Sequence, residues 1–451
     1  MCIRDSIHDA TDRLVKSDTF TRFGSTVSTL QGRTVRISNN HSADALATGD
    51  LVSLTRDILS PHALTIDRSS DVRVEDVTVH ASTSFAFFET GSSGNEYLNL
   101  TVTPGATPEG ATEARLLSSN FDTFHSKYAA EGPRIVGANF DSAGDDGIAI
   151  NSDFALVAGS RGDSVIITTQ NNDPYIRAGD LLRFASADNN VFYERTVVSI
   201  DRYDTGDIDF NGLANASFTG LSQLRDDFQD GFQLTLSEPV PSNVGDRITN
   251  LSRTGSGFEI IDSNISNTRA RGLVLKASDG LVSGNTITNV ATAGILVSPE
   301  ATFFAESGFT NSLVIDNNLI SEVGFTASNP AQNKVGGIVI TADVGDPTRG
   351  HSDIQITNNE LNQVSGINLT VANAVDVDVI GNQFTEAQPF VRTHGSGIGL
   401  DSGTLVFLDN VSDVTFRANA VTDLGRGNDH LILSSSTASN VTGASTGLRT
   451  A

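Results

Sequence analysis

The chain has 451 residues, with 29 Lys and Arg against 54 Asp and Glu, giving a formal net charge of −25. That balance argues against nucleic acid or an anionic membrane as partner, since both need clustered cations; the only lysines are Lys16, Lys127, Lys276 and Lys334. No apolar run approaches the roughly 20 residues of a membrane span, and the single cysteine, Cys2, excludes an internal disulfide and a cysteine-based metal site. The chain holds 41 Gly and 34 Asn, with Val, Ile, Thr and Ser supplying most of the rest. β-Branched residues favour strands, and Gly and Asn favour turns with positive φ. The expected class is all-β.

In chain order, the start MCIRDSIHDATDRL lacks the apolar stretch of a secretory signal. It reads as a truncated beginning, and an extracellular or periplasmic location is expected. Residues 22–65, with GRTVRISN and GDLVSLTRD, complete an N-terminal segment over 1–65 that holds a small β module. From 66 to 152 a different grammar sets in: VEDVTV, LNLTV with Asn99, SSNF with Asn120 and GANF with Asn139, spaced 21 and 19 residues apart. Over 153–255 the repeat stops. DSVIITTQ, GDLLRFAS, NVFYERTVVSIDRYD and DGFQLTLSE alternate with polar turns and predict an inserted antiparallel β domain, a small barrel.

The repeat resumes over 256–451. One element, present already at Gly147, places Gly before Ile or Leu and an alternating apolar run, and returns at Gly272, Gly294, Gly337, Gly366 and Gly397. A second ends a short apolar strand in Asn: Asn267, Asn285, Asn318, Asn359, Asn382 and Asn419. Strands of three to six residues joined by tight turns, about 22 residues per circuit, describe a right-handed parallel β-helix. Each coil alone cannot bury its inward Ile, Val and Leu, whereas stacked coils can. Asn at a fixed corner can also form side-chain ladders between coils.

Three carboxylates carry the chemistry: Asp122 in SSNFDTFHS and the adjacent Asp145 and Asp146 in SAGDDGIAI. The separations of 23 and 24 residues match one circuit, so the three are predicted to meet on successive rungs. Arg271, immediately before Gly272, falls in the same column one rung on, with Arg269 two residues earlier and His125 on the first strand. Stacked carboxylates repel, which is costly in a purely structural role. Glycoside hydrolysis needs such a group, because one carboxylic acid protonates the leaving oxygen and a carboxylate activates water. Asp and Gly at a corner are also ordinary turn chemistry. Lys276 and Glu300 are expected at the surface or as a simple pair.

Asp122 in an N-x-D-x-x-H setting, the spacing G-x-x-F ahead of the Asp pair, NTRARGLVL and ATFFAESGFTNSLVIDNN together resemble glycoside hydrolase family 110 over roughly 65–320. That resemblance implies an inverting exo-α-galactosidase on a right-handed β-helix with added barrels, needing no cofactor or metal. It implies Asp122 as general acid, Asp145 and Asp146 as base and its partner, and His125, Arg269, Arg271 and Glu306 as sugar contacts. The sequence departs from the family where Ala149 follows Ile148, with Asn only at Asn151, and where Phe303 or Phe304 stands in place of a Trp or Tyr. The GDD segment is also similar to family 28 polygalacturonases, but Gly147 follows the pair where that family has Cys.

The expected partner is a carbohydrate substrate, and a homo-oligomer is compatible with the sequence. Two competing readings remain open: a polygalacturonase-like hydrolase or polysaccharide lyase on a β-helix, and a non-catalytic carbohydrate-binding surface protein.

Overall fold

The computed structural model describes residues 61–185, 192–216, 228–301, 304–325, 334–343, 346, 348–387, 403–425, 430–444 and 447–450. Before residue 61 it describes Ser6–His8, Thr26–Gln31, Thr34–Ser38 and 47–53. The two middle segments form an antiparallel hairpin, and Ser6–His8 pairs antiparallel with Leu51–Ser53. Gly397 and Phe303 lie outside the described residues.

Past residue 61, short strands return at every circuit and stack in parallel. One ladder runs through Leu64–Asp67, Phe87–Thr90, Phe124–Lys127, Ile148–Asp153, Leu273–Leu275, Ala293–Val297 and Gly336–Ile340. A second starts with Arg73–Glu75, Glu96–Leu98, Arg134–Val136 and Glu259–Ile261. The third is a ten-stranded sheet from Thr78–Val79 to Leu448–Thr450. Three ladders around one axis make a parallel β-helix, and its apolar core is continuous from Ile66 to Leu448. Alternation sets which side chains enter it: Phe87, Phe124, Ile148, Leu273 and Ile295 point inward at one register position.

One rung departs from this pattern. Glu89 occupies an inward position and is buried. Its carboxylate accepts hydrogen bonds from Asn95 Nδ2 at 2.8 Å, the Tyr97 hydroxyl at 2.6 Å and Ser126 Oγ at 2.6 Å. Three donors offset the cost of placing that group in the core.

The corner asparagines form a ladder. Asn285, Asn318, Asn359, Asn382 and Asn419 are buried, each Oδ1 accepting the backbone N–H one coil earlier while each Nδ2 reaches a carbonyl. Asn267 was expected here but is an exposed turn residue at φ 55°, and Ser263 takes the ladder position instead. The glycine column is a matter of close approach. A Cβ on Gly147 would lie 2.5 Å from the Gly272 carbonyl oxygen, and one on Gly272 equally close to that of Gly294. Gly366 leaves this column, because Gly337 faces the carbonyl of Asn368.

The insertion is a closed six-stranded antiparallel barrel between Ala155 and Asn250, with its own core of Val157, Ile167, Leu182, Phe184 and Leu234. Its first and last strands pair, Ala155 opposite Ile248. The chain therefore leaves and rejoins the helix at one point, and Ile148 still pairs with Leu273 across the excursion. A buried Arg247–Asp346 ion pair at 3.1 Å and a Tyr128–Tyr175 stack at 4.0 Å fasten the barrel to the coils.

Candidate active site

Register brings the acids together. Phe124 pairs with Ile148 and Ile148 with Leu273, so Asp122, Asp146 and Arg271, each two residues earlier, stand on three successive rungs. The backbone continues the ladder through them: Thr123 N–H donates to the Asp146 carbonyl at 3.1 Å, and Gly147 N–H to that of Arg271 at 2.9 Å. One oxygen from each of Asp122, Asp145 and Asp146 lies within 4.8 Å of the others. Asp122 and Asp146 are buried at 3% and 4% exposure, whereas Asp145 is half-buried.

The surroundings of each acid differ. Asp122 Oδ1 accepts the Asp146 backbone N–H at 3.1 Å, and its Oδ2 lies 2.7 Å from His125 Nδ1. Asp146 accepts from the Arg271 backbone N–H at 3.0 Å and from its guanidinium at 2.8 Å. Burial pushes the Asp146 carboxyl well above the usual carboxylate range. Arg271 pulls it down by less, and Asp145 and Asp122 push it further up. Burial, then Lys127, holds the His125 imidazole down at about 4, so the ring is neutral at pH 7. Its Nε2 faces Asn151 Nδ2 at 3.4 Å. Arg269 is buried and donates to the Gly144 carbonyl at 3.3 Å, supporting the turn under the acids.

Glu306 lies to one side, on a two-residue strand that runs antiparallel against Ser152 and Asp153. It is ion-paired with Lys276. Burial alone would raise the Glu306 carboxyl, but Lys276 and Lys127 outweigh it and hold it at about 2. Glu306 is therefore an anion and no proton donor. The expectation that Lys276 and Glu300 lie at the surface or form a simple pair is corrected: both are buried, and Lys276 pairs with Glu306. The segment carrying Glu306 folds back over the outer face of the ladder, which desolvates them. Lys127 joins this network through Asp153 at 2.7 Å.

The outward side chains next to the acids grade from open to covered along the axis. Thr65 is exposed and Phe88 half-buried, whereas His125, Ala149, Val274, Leu296 and Val339 are buried. At the covered end Ala301 N–H donates to Asp343 at 2.6 Å, and Lys334 bridges the Pro299 carbonyl and Asp343. At the open end an aromatic cluster adjoins His125: Phe85 stacks on it at 4.6 Å and on His62 at 5.1 Å, with Phe88 4.6 Å from His62. Sequence reasoning missed Phe85, Phe88, Lys127 and Asn151. Phe85 shares the Asp122 column, since Ala86 N–H donates to the Asp122 carbonyl at 3.1 Å. The rung between them is 37 residues long and hides from a period near 22.

A family model described as right handed beta helix region matches residues 248–410. No curated protein matches the chain. Among solved structures, the chain is similar to the catalytic domain of GH87 alpha-1,3-glucanase in complex with tetrasaccharides (TM-score 0.35, 11% identity, 85% of this chain and 49% of that one). It is also similar to the Dettilon tailspike protein gp208 (0.31, 12%, 85% and 61%) and to the surface adhesin PfbA of Streptococcus pneumoniae (0.28, 10%, 83% and 72%). The chain spans about half the length of the glucanase structure. Ladder topology and matched region together make this chain a right-handed parallel β-helix carrying an inserted, closed antiparallel barrel.

Proposed function

We propose that the protein is an exo-acting glycoside hydrolase of the extracellular or periplasmic space that removes terminal α-linked galactose, α-1,3-linked, with inversion. The observation that carries the hydrolytic reading is the convergence of three carboxylates from two successive rungs, with a proton favoured on buried Asp146. The sugar and the stereochemistry rest on the motif resemblance to family 110.

The buried pair Asp122 and Asp146 enters the reaction with one proton for the leaving oxygen, and Arg271 and His125 orient the two acids. Asp145, the member open to solvent, is the base that activates water. Oxygens within 4.8 Å are tighter than the ~6.5–9.5 Å between carboxyl groups usual for inversion; rotation of Asp145 toward solvent widens the gap for a water. The covered end at Val274 and Leu296 supports exo action, because a chain cannot thread past it.

The test is hydrolysis of α-galactosides followed by proton NMR of the first-formed anomer. Asp145→Asn is expected to lower kcat by about 10³-fold or more with unchanged melting, and a chelator to have no effect. Retention, or an active Asp145→Asn enzyme, overturns the assignment. Chelator-sensitive release of an unsaturated product would move the site to a cation-assisted lyase, which three converging carboxylates could also serve.

A further inference from the structure

The acid column does not end at Asp122. One rung earlier the same position is Phe85, with His62 a rung before that, and Phe88 stands next to His125 in the neighbouring outward row. Phe85 also meets Phe121 edge-on at 5.6 Å, beside Asp122 in the chain. His62, Phe85 and Phe88 are half-buried, so an aromatic surface remains at the edge of the proposed reaction centre. On the opposite side of the acids, Val274 and Leu296 are covered. A saccharide held at the acids therefore has its more open flank along the axis over these rings.

We infer that Phe88, backed by Phe85 and His62, forms the subsite for the leaving-group sugar, its ring taking the apolar face of the saccharide next to the scissile bond, while Phe85, stacked between His62 and His125, fixes the cluster. This rests on the hydrolytic reading of the acid centre. Adjacent rungs are about 4.8 Å apart, so Phe85 is one step and His62 two steps from Asp122, the distance over which one pyranose ring follows another. Phe85 is stacked with His62 at 5.1 Å and with Phe88 at 5.5 Å, while Phe88 is tilted against His62; such aromatic pairing fixes the surface before a ligand arrives. The substrate class is thus an oligosaccharide with a ring-shaped, weakly polar face on its second residue; a galactoside with a small acyclic aglycone forfeits this contact.

The experiment compares an α-1,3-galactosyl disaccharide with α-galactosyl fluoride, which has no second ring. In Phe88→Ala, kcat/KM for the disaccharide relative to the fluoride is expected to fall about threefold to tenfold, through KM. Phe88→Leu, which keeps apolar volume and loses the ring, is expected to fall likewise with unchanged melting. An unaltered ratio in both variants overturns the subsite. If the wild-type protein hydrolyses neither substrate, the hydrolytic reading fails by itself. The subsite is then decided by saturation-transfer NMR with the same disaccharide: transfer to protons of one ring face, lost in Phe88→Ala, supports it, and no transfer in the wild type overturns it.

Discussion

His125 and His351 are both buried and both held at about 4. For His351 burial is the main cause, and the ring is fixed by accepting Thr310 N–H at 3.1 Å and by the Thr341 carbonyl 2.8 Å from Nε2. For His125 burial acts with Lys127 against Glu306, Asp146 and Asp153. The sign follows directly. Above pH 6.5 neither folded nor unfolded rings bind protons; below it the unfolded chain does and the folded one does not until about pH 4. Stability therefore drops as pH falls from 6.5 to 4, on the order of 3 kcal/mol per histidine in the limit. Glu306, held at about 2, adds a loss between pH 4.5 and 2. Melting curves from pH 7 to 4 are expected to fall steeply, and His351→Leu, though less stable at pH 7, to fall less steeply. Equal slopes for the two proteins would refute the assignment of His351.

Among elements, the asparagine ladder gives the sharpest expectation. Asn359 Oδ1 accepts from Asn318 N–H and Nδ2, while its Nδ2 donates to the Ile315 carbonyl and Asn382 Oδ1. Asn359→Ala leaves these buried groups unpaired at about 1–3 kcal/mol per group, against about 1 kcal/mol in all for exposed Asn267→Ala, which puts alanine at φ 55°. Urea midpoints of the two variants test the contrast, and comparable shifts would refute it. The same period that exposes this ladder in the sequence also aligned Asp122, Asp146 and Arg271, since parallel strands keep register from coil to coil. It could not reach Glu306, whose strand runs antiparallel against Asp153, nor the split between ladder and turn asparagines. That split depends on which corner of the coil each occupies, and both corners accept Asn. The pairing of Lys276 was hidden for the same reason: burial of the outer sheet face comes from a return segment outside the repeat.

At the scale of the molecule, the barrel is an insertion that the helix does not need for its ladders. Ala155 and Ile248 are partners, and the rungs on either side pair directly. Excising residues 155–249 and joining the ends by a short glycine-containing linker is expected to leave a folded β-helix with the far-ultraviolet spectrum of parallel strands, destabilised where Arg247 and Tyr175 had packed. Collapse to an unfolded chain would show instead that the barrel is part of the folding unit. The net charge of −25 acts on both parts, and screening by salt relieves the repulsion within a Debye length of about 10 Å at 0.1 M.

Asp146 and Arg271 touch at 2.8 Å but are 125 residues apart in the chain, with the whole barrel between them. Loop closure over such a distance is slow, and domains tend to fold as units while the chain is made. The carboxylates of Asp122, Asp145 and Asp146 are therefore synthesised before the guanidinium that steadies Asp146. Assembly of the proposed reaction centre waits for the chain beyond the barrel: Asp146 gains its guanidinium partner only when the strand returns to the coil that carries Arg271.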